Sequence, residues 1–290
     1  MMCCAGCGIG EEDDIKLKKC SACYLVRYCS VQCQKEHRSQ HKQNCKKRAA
    51  ELFDELLFKQ PESTHDGDCH ICCLPLPTND GKKCTIMPCC SQLVCNGCIY
   101  ANDMRKGTNH KCPFCQQARA LNQEEADTYI MKRVKVDDPV ALQQVGLRCY
   151  IEGKYNNAFE HLTKAAKLGD AQSHFFLSFL YRNGQGVEED KKKELHHLEE
   201  AAIGGHQFAR HNLGCMECDN GRLDRAVKHW NISAILGHDK SVEMLKQVHM
   251  KGLVSKEDFA TTLHAYQAAI DATKSSQREE AEDYLQRRGM

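Results

Sequence analysis

Of the 21 cysteines in this 290-residue chain, 18 lie before residue 116. Most of them come in pairs: Cys4-x2-Cys7, Cys20-x2-Cys23, Cys29-x3-Cys33, and later Cys69-x2-Cys72, Cys95-x2-Cys98 and Cys112-x2-Cys115. The front third is too poor in contiguous apolar sequence to build a large core, so it needs cross-links, either disulfides or metal. The opening "MMCCAGCGIGEEDD" has no basic start and no apolar run, and it does not read as a secretory signal. No stretch approaches the ~18 apolar residues of a membrane span. A chain that stays inside the cell, in cytoplasm or nucleus, keeps its thiols reduced, and clustered cysteines there bind metal. Zinc is the expected ion.

The stretch "CSVQCQKEHRSQHKQNC" spaces Cys29, Cys33, His37, His41 and Cys45 four residues apart, so on a helix all five share a face. Taken with the two upstream CxxC pairs and a pair at Cys45, it supplies eight ligands, enough for two closed tetrahedral sites. His37 and His41 each have a cysteine four residues away, and both are candidates. This spacing, with "YCSVQCQ" before the terminal His and Cys, resembles the MYND zinc finger over roughly residues 3 to 45. The resemblance implies cross-bracing, with Cys4, Cys7, Cys29 and Cys33 on one zinc and Cys20, Cys23, His41 and Cys45 on the other. It selects His41 over His37. Where MYND fingers usually carry an acidic residue and then Trp, this chain has His37 and Arg38.

A second cluster reads "CHICCLPLPTNDGKKCTIMPCCSQLVCNGCIYANDMRKGTNHKCPFC" from residue 69. Its three CxxC pairs, ending in "CPFC", resemble a RING finger. The resemblance implies one metal on Cys69, Cys72, Cys95 and Cys98, and another on the middle pair with Cys112 and Cys115. A standard RING would have His two residues past its third ligand; counting from Cys90, that place holds Gln92. Cys89 and Cys90 are therefore expected to bind together, with Cys84 and His110 as substitutes. The same resemblance implies contact with a ubiquitin-conjugating enzyme through Ile71, Pro113 and Gln116. Gln116 stands where an arginine is frequent, and Asn102 where an apolar side chain is common.

Metal binding alters the charge. Zinc-bound cysteine is thiolate, so the loaded chain carries about −6 rather than the formal +1. "CKKR" at residues 45–48 then serves to relieve a thiolate site. The negative balance, with no interleaving of basic and aromatic residues, disfavours nucleic acid as a partner.

Two connecting helices are expected, in "KKRAAELFDELLFKQP", closed by Pro61, and in "NQEEADTYIMKRVKV". The second opens with an Asn122/Glu125 capping box and a Leu121–Ala126 staple. "STHDGD" at 63–68 reads as a flexible joint. The last half repeats: "AAKLGDAQSHFFLSFLYRNG" from Ala165, "AAIGGHQFARHNLGCMECDNG" from Ala201 and "SAILGHDKSVEMLKQVHMKG" from Ser233 stand 36 and 32 residues apart, the period of stacked helix pairs. These units, with "YRNGQGVEEDKKKELHHLEEAAIGGH", resemble Sel-one-like repeats, relatives of the tetratricopeptide repeat. The resemblance implies a superhelical stack that grips other proteins. "CMEC" at Cys215–Cys218 reads as buried thiol, Trp230 and Phe175, Phe176 and Phe179 as core, and His196-His197 as a solvated pair.

The expected architecture is mainly α: two small cross-braced zinc modules followed by an α-solenoid. Its segments are a MYND-type finger at 1–48, a helical linker at 49–66, a RING-type finger at 67–118, a linker helix at 119–137, repeats at 138–275 and a polar tail at 276–290. No phosphate loop, hydrolase elbow or metalloprotease helix is present, so no catalytic residue is expected. The expected role is an intracellular zinc-binding scaffold whose partners are other proteins. The alternative is a RING-type ubiquitin ligase, with the repeats recruiting substrate.

Overall fold

A computed structural model describes residues 3–11, 14–77, 83–105 and 111–287. The chain divides into two compact units, Met1–Lys59 and Gln60–Met290.

The first unit pairs a short hairpin, β1 (Lys18–Lys19) with β2 (Arg27–Tyr28), and then runs into one long helix, α1 (Val31–Leu57). Ser30 caps α1, its Oγ accepting from Cys33 N–H at 3.2 Å. No Gly or Pro interrupts the 27 residues, so the ligand-bearing stretch and the expected linker helix are one continuous element. The helix stops just short of Pro61.

The second unit begins with the hairpin β3 (Cys84–Met87) and β4 (Gln92–Cys95), followed by α2 (Asn96–Met104) and α3 (Gln123–Val134). Asn122 caps α3 through Glu125 N–H at 2.9 Å, and Glu125 reaches back to Leu121 N–H, also at 2.9 Å. The Leu121–Ala126 staple does not form, because Leu121 is 82% exposed.

Four helix pairs follow: α4 (Pro139–Ile151) with α5 (Tyr155–Lys167), α6 (Ala171–Asn183) with α7 (Lys191–Ile203), α8 (Gln207–Asp219) with α9 (Leu223–Ile235), and α10 (Asp239–Met250) with α11 (Lys256–Ala272). They begin 32, 36 and 32 residues apart, the extra four lying in the longer α6–α7 loop. Between pairs the chain turns through a left-handed glycine and then a helix-starting residue: Gly169 before Asp170, Gly205 before His206, Gly237 before His238. Within the third pair, Gly214 lets Trp230 seat fully buried; a Cβ there would lie 2.4 Å from the indole nitrogen. Cys215 and Cys218 pack against this Trp230 cluster.

The stretch expected as a flexible joint is pinned. His65 N–H donates to Gly205 O at 3.2 Å, and its Nε2 lies 2.9 Å from Gln172 Oε1. Ser63 and Asp68 remain exposed, but the half-buried His65 meets the turn that ends one helix and a side chain from another. His197 is likewise not a solvated side chain. It is half-buried, stacked on Tyr181 with ring centroids 5.4 Å apart, its Nδ1 3.0 Å from that of His174. Nor is the C-terminus a simple polar tail. Ser276–Arg287 forms α12, packed on α2, with Arg278 and Ala281 buried. A helix this polar hides its docking face, because only two of its residues are fully covered.

Candidate metal centres

Four groups of side chains place their ligand atoms within 4.8 Å of one another. They are Cys4, Cys7, Cys29 and Cys33; Cys20, Cys23, His41 and Cys45; Cys69, Cys72, Cys95 and Cys98; and Cys89, Cys90, Cys112 and Cys115. In each half of the cysteine-rich region the two groups interleave along the chain, so each loop is tied to a later element.

One backbone device builds four of the ligand pairs. At Cys4, Cys20, Cys69 and Cys112 the carbonyl accepts from the N–H four residues on, at 2.7–3.0 Å, and the residue there is left-handed: Gly8, Tyr24, Cys73 and Gln116. The first cysteine's own N–H also donates, at 2.7–2.9 Å, to a carbonyl five or six residues ahead. The turn aims both thiols of the pair to one side. Only Gly8 adopts this conformation without strain, so the other three are held in it by their surroundings.

Helices supply most of the remaining pairs. Cys29 and Cys33 flank the N-terminus of α1, while His41 and Cys45 lie one turn apart further along it. Cys95 caps α2, its Sγ accepting from Cys98 N–H at 3.4 Å. A helix N-terminus favours a thiolate, since unpaired N–H groups converge there.

Donor spacing suits a tetrahedral ion. Distances are 3.5 Å for Cys7–Cys29, 3.8 Å for Cys20–Cys45, 3.9 Å for Cys69–Cys98 and 3.9 Å for Cys90–Cys112. A tetrahedron of 2.3 Å zinc–sulfur bonds has edges of about 3.8 Å, whereas a disulfide needs about 2.05 Å. His41 is buried, with Nε2 3.2 Å from Cys23 Sγ. His37 points elsewhere: its Nδ1 lies 3.0 Å from Tyr28 Oη while its ring stacks on His41. Cys84 is half-buried in β3 outside the four groups, and His110 lies outside the described residues.

Crowding drives the proton affinities of neighbouring thiols apart. The hydrogen bond from Cys95 holds the Cys69 thiol down at about 3, and the same bond pushes Cys95 up. Burial lifts Cys98 to about 12. In the first module, burial opposes ionisation of Cys4, but N–H donors from Cys29, Cys7 and Gly6 bring it down to about 6. Its neighbour Cys29 is raised to about 12 by hydrogen bonds with Cys7, Cys33 and Cys4. Crowded thiols thus concentrate negative charge on one sulfur and keep others protonated. A divalent cation removes that conflict, and sulfur-rich tetrahedral donors suit zinc. Each group offers four protein donors, the number that a tetrahedral ion takes.

Two contributors carry no spacing signal. Arg278 Nη2 donates to Cys72 Sγ at 3.4 Å, and Gln277 Nε2 to Cys98 Sγ at 3.5 Å, both from α12. Ile71 is 40% exposed, as is Phe114 at 44%, the latter's ring set edge-on to His70. Gln116 folds back to donate to Pro113 O at 3.3 Å, and the Asn102 amide donates to Lys111 O at 3.1 Å.

Among the described residues no helix is long and apolar enough to cross a membrane. Among solved structures, the chain is similar to a Sel1 repeat protein from Oxalobacter formigenes, at 19% identity and a TM-score of 0.45, covering 59% of this chain and 82% of that one. It is also similar to c5321, a protective antigen present in uropathogenic Escherichia coli strains displaying an SLR fold. That match has 19% identity and a TM-score of 0.40, and it covers 66% of this chain and 39% of that one. No curated protein matches the chain. Residues 4–45 match the family model of the MYND finger, a segment that begins and ends on candidate ligands, Cys4 and Cys45, and contains all eight ligands of the first two sites.

Proposed function

We propose that this chain is a zinc-binding protein-interaction scaffold carrying four structural zinc ions, two in each cysteine module. The observation that carries this reading is the closure of all four sites: each has four protein donors and none has an open position. Zinc there supplies cross-links that a small apolar core cannot, and no chemistry on a substrate is expected of it. The second unit offers a surface for partners. A cleft of about 880 Å³ between α2, α3 and α12 is lined by Ile99, Tyr100, Tyr129, Tyr284 and the exposed Leu121 and Met104. Tyrosines beside exposed aliphatic side chains suit a protein partner.

The test is capture of partners by the full chain against two variants. Cys20→Ser with Cys23→Ser should lose those partners that need the first module, and Leu121→Asp those that use the cleft. Identical partner sets from all three proteins would contradict the scaffold reading.

A second reading, a RING-type ubiquitin ligase, is favoured by one observation: Ile71 and Phe114 stand exposed on neighbouring ligand loops. A conjugating enzyme would dock there, with Pro113 between the ligand Cys112 and Phe114.

A further inference from the structure

The C-terminal helix reaches into the Cys69 site from the far end of the chain. Arg278 is 7% exposed. Its Nη1 donates to Pro75 O at 2.7 Å and Thr273 O at 2.6 Å; its Nη2 donates to Leu74 O at 3.2 Å and Cys72 Sγ at 3.4 Å. Gln277, beside it, donates to Cys98 Sγ at 3.5 Å. Gly97 makes the approach feasible: a Cβ there would lie 3.0 Å from Arg278 Cα and 3.1 Å from its backbone nitrogen. Tyr284 packs on Tyr100 with centroids 5.1 Å apart, and Glu282 pairs with Lys83 at 2.8 Å.

A buried guanidinium is costly unless an opposing charge meets it. Among the described residues no carboxylate pairs with Arg278; what faces it is sulfur and backbone carbonyl. A divalent ion held by four thiolates leaves the site with two net negative charges, and a cation beside such a site lowers its energy. Without an ion that draws the four sulfurs into one doubly negative centre, the guanidinium keeps its burial cost with only backbone carbonyls and a single sulfur to meet it.

We infer that Arg278 is a positioning residue for metal at Cys69, Cys72, Cys95 and Cys98, and that docking of α12 is coupled to occupancy of that site. The inference rests on the zinc reading proposed above. Linkage makes the effect reciprocal: whatever factor docking adds to metal affinity, metal adds to docking. The end of the helical stack thereby becomes a latch that a thiophilic divalent ion closes and a strong chelator opens. Removal of metal would uncover Tyr100 and the face of α2 on which α12 sits.

The experiment uses the zinc-loaded full chain, with metal count by native mass spectrometry during chelator titration and hydrogen exchange over residues 276–287. In the wild-type protein, exchange protection of α12 should be lost as the Cys69 site empties. Arg278→Met should make one of the four ions about 10- to 100-fold easier to remove, and Arg278→Lys, which keeps the charge, should recover part of that loss. A helix that only packs would lose stability in both variants alike. Full protection of α12 after complete metal removal, or equal metal retention in wild type and Arg278→Met, would overturn the inference. A wild-type chain that binds no metal at the Cys69 cluster would instead defeat the zinc reading beneath it.

Discussion

His65 stacks on His206, with ring centroids 4.3 Å apart, and both imidazoles meet a single acceptor, Gln172 Oε1, at 2.9 Å. The tautomer of His206 follows from its other nitrogen. Nδ1 accepts from Ala209 N–H at 3.2 Å to cap α8, so the proton sits on Nε2 and is donated to Gln172. A segment entering the second cysteine module is thereby fastened to the turn between two repeats.

Gly205 tests that fastening. Its φ is +82°, and a Cβ would lie 2.7 Å from Ser63 O and 3.2 Å from His65 N. Gly205→Ala should cost about 2–3 kcal/mol, lowering Tm by roughly 4–10 °C. Gly221, at φ +73° with open space around it, is the control. Gly221→Ala should cost only about 1 kcal/mol, the left-handed penalty alone. Equal losses in the two melts would mean that the 63–65 segment does not press on the turn.

Stability of the stack should fall in mild acid. Burial pushes His197 and His238 down to about 4, and His206 well below its ordinary value. Their folded pKa values lie below the unfolded value of about 6.5, so the unfolded chain takes up protons first. The stability they contribute is full above about pH 6.5 and is lost as pH falls towards 4. Trp230, the chain's single tryptophan and fully buried, reports this unit. Its urea midpoint should decline between pH 6.5 and 4.5, and less steeply in His238→Asn. Acid release of metal affects both proteins alike, so the difference isolates the histidine. Parallel slopes would contradict the assignment.

The two histidines of α1 should separate cleanly. His41→Ala opens a coordination position and should weaken one zinc, read as earlier loss to a chelator. His37→Ala should leave metal content unchanged and cost about 1 kcal/mol through the lost Tyr28 hydrogen bond. The reverse pattern would transfer the ligand role to His37.

If the second module works as a RING ligase, ubiquitin transfer should be weak or dependent on the conjugating enzyme supplied. A RING acts by positioning a thioester, and the cation that often helps is replaced by Gln116, whose amide is turned back onto Pro113 O. Neutral hydrogen bonds are about half as strong as charge-assisted ones. Gln116→Arg should raise transfer, and Ile71→Ala should abolish it. Residue 116 already sits at φ 63° without glycine, so arginine adds no backbone strain. No transfer with any conjugating enzyme, even after Gln116→Arg, would leave the scaffold reading alone.

The ligand pairs and the helix pairs are legible because their determinants are local, whereas which pairs share a site is implied only by the resemblance to cross-braced fingers. Two thiols on a tight turn, or a His and a Cys one helical turn apart, declare themselves by spacing, and the stack declares itself by its period. Three features were not legible, for one common reason. The stretch at 63–68 looks like a polar joint because its partner Gln172 lies 107 residues away. The helix at Ser276–Arg287 looks like a tail because Arg278 finds Cys72 across 206 residues. His197 sits on a charged helix, yet its ring is covered by Tyr181 from the neighbouring helix. Contacts across such separations leave no periodicity, and polar composition was read as solvent exposure where it meant buried hydrogen bonding.

Native mass spectrometry of the full chain, purified under reducing conditions, tests the central claim most directly. The account predicts four zinc ions per chain and no disulfides. Two ions or fewer, or a mass lowered by paired hydrogen losses from oxidised cysteines, would contradict it.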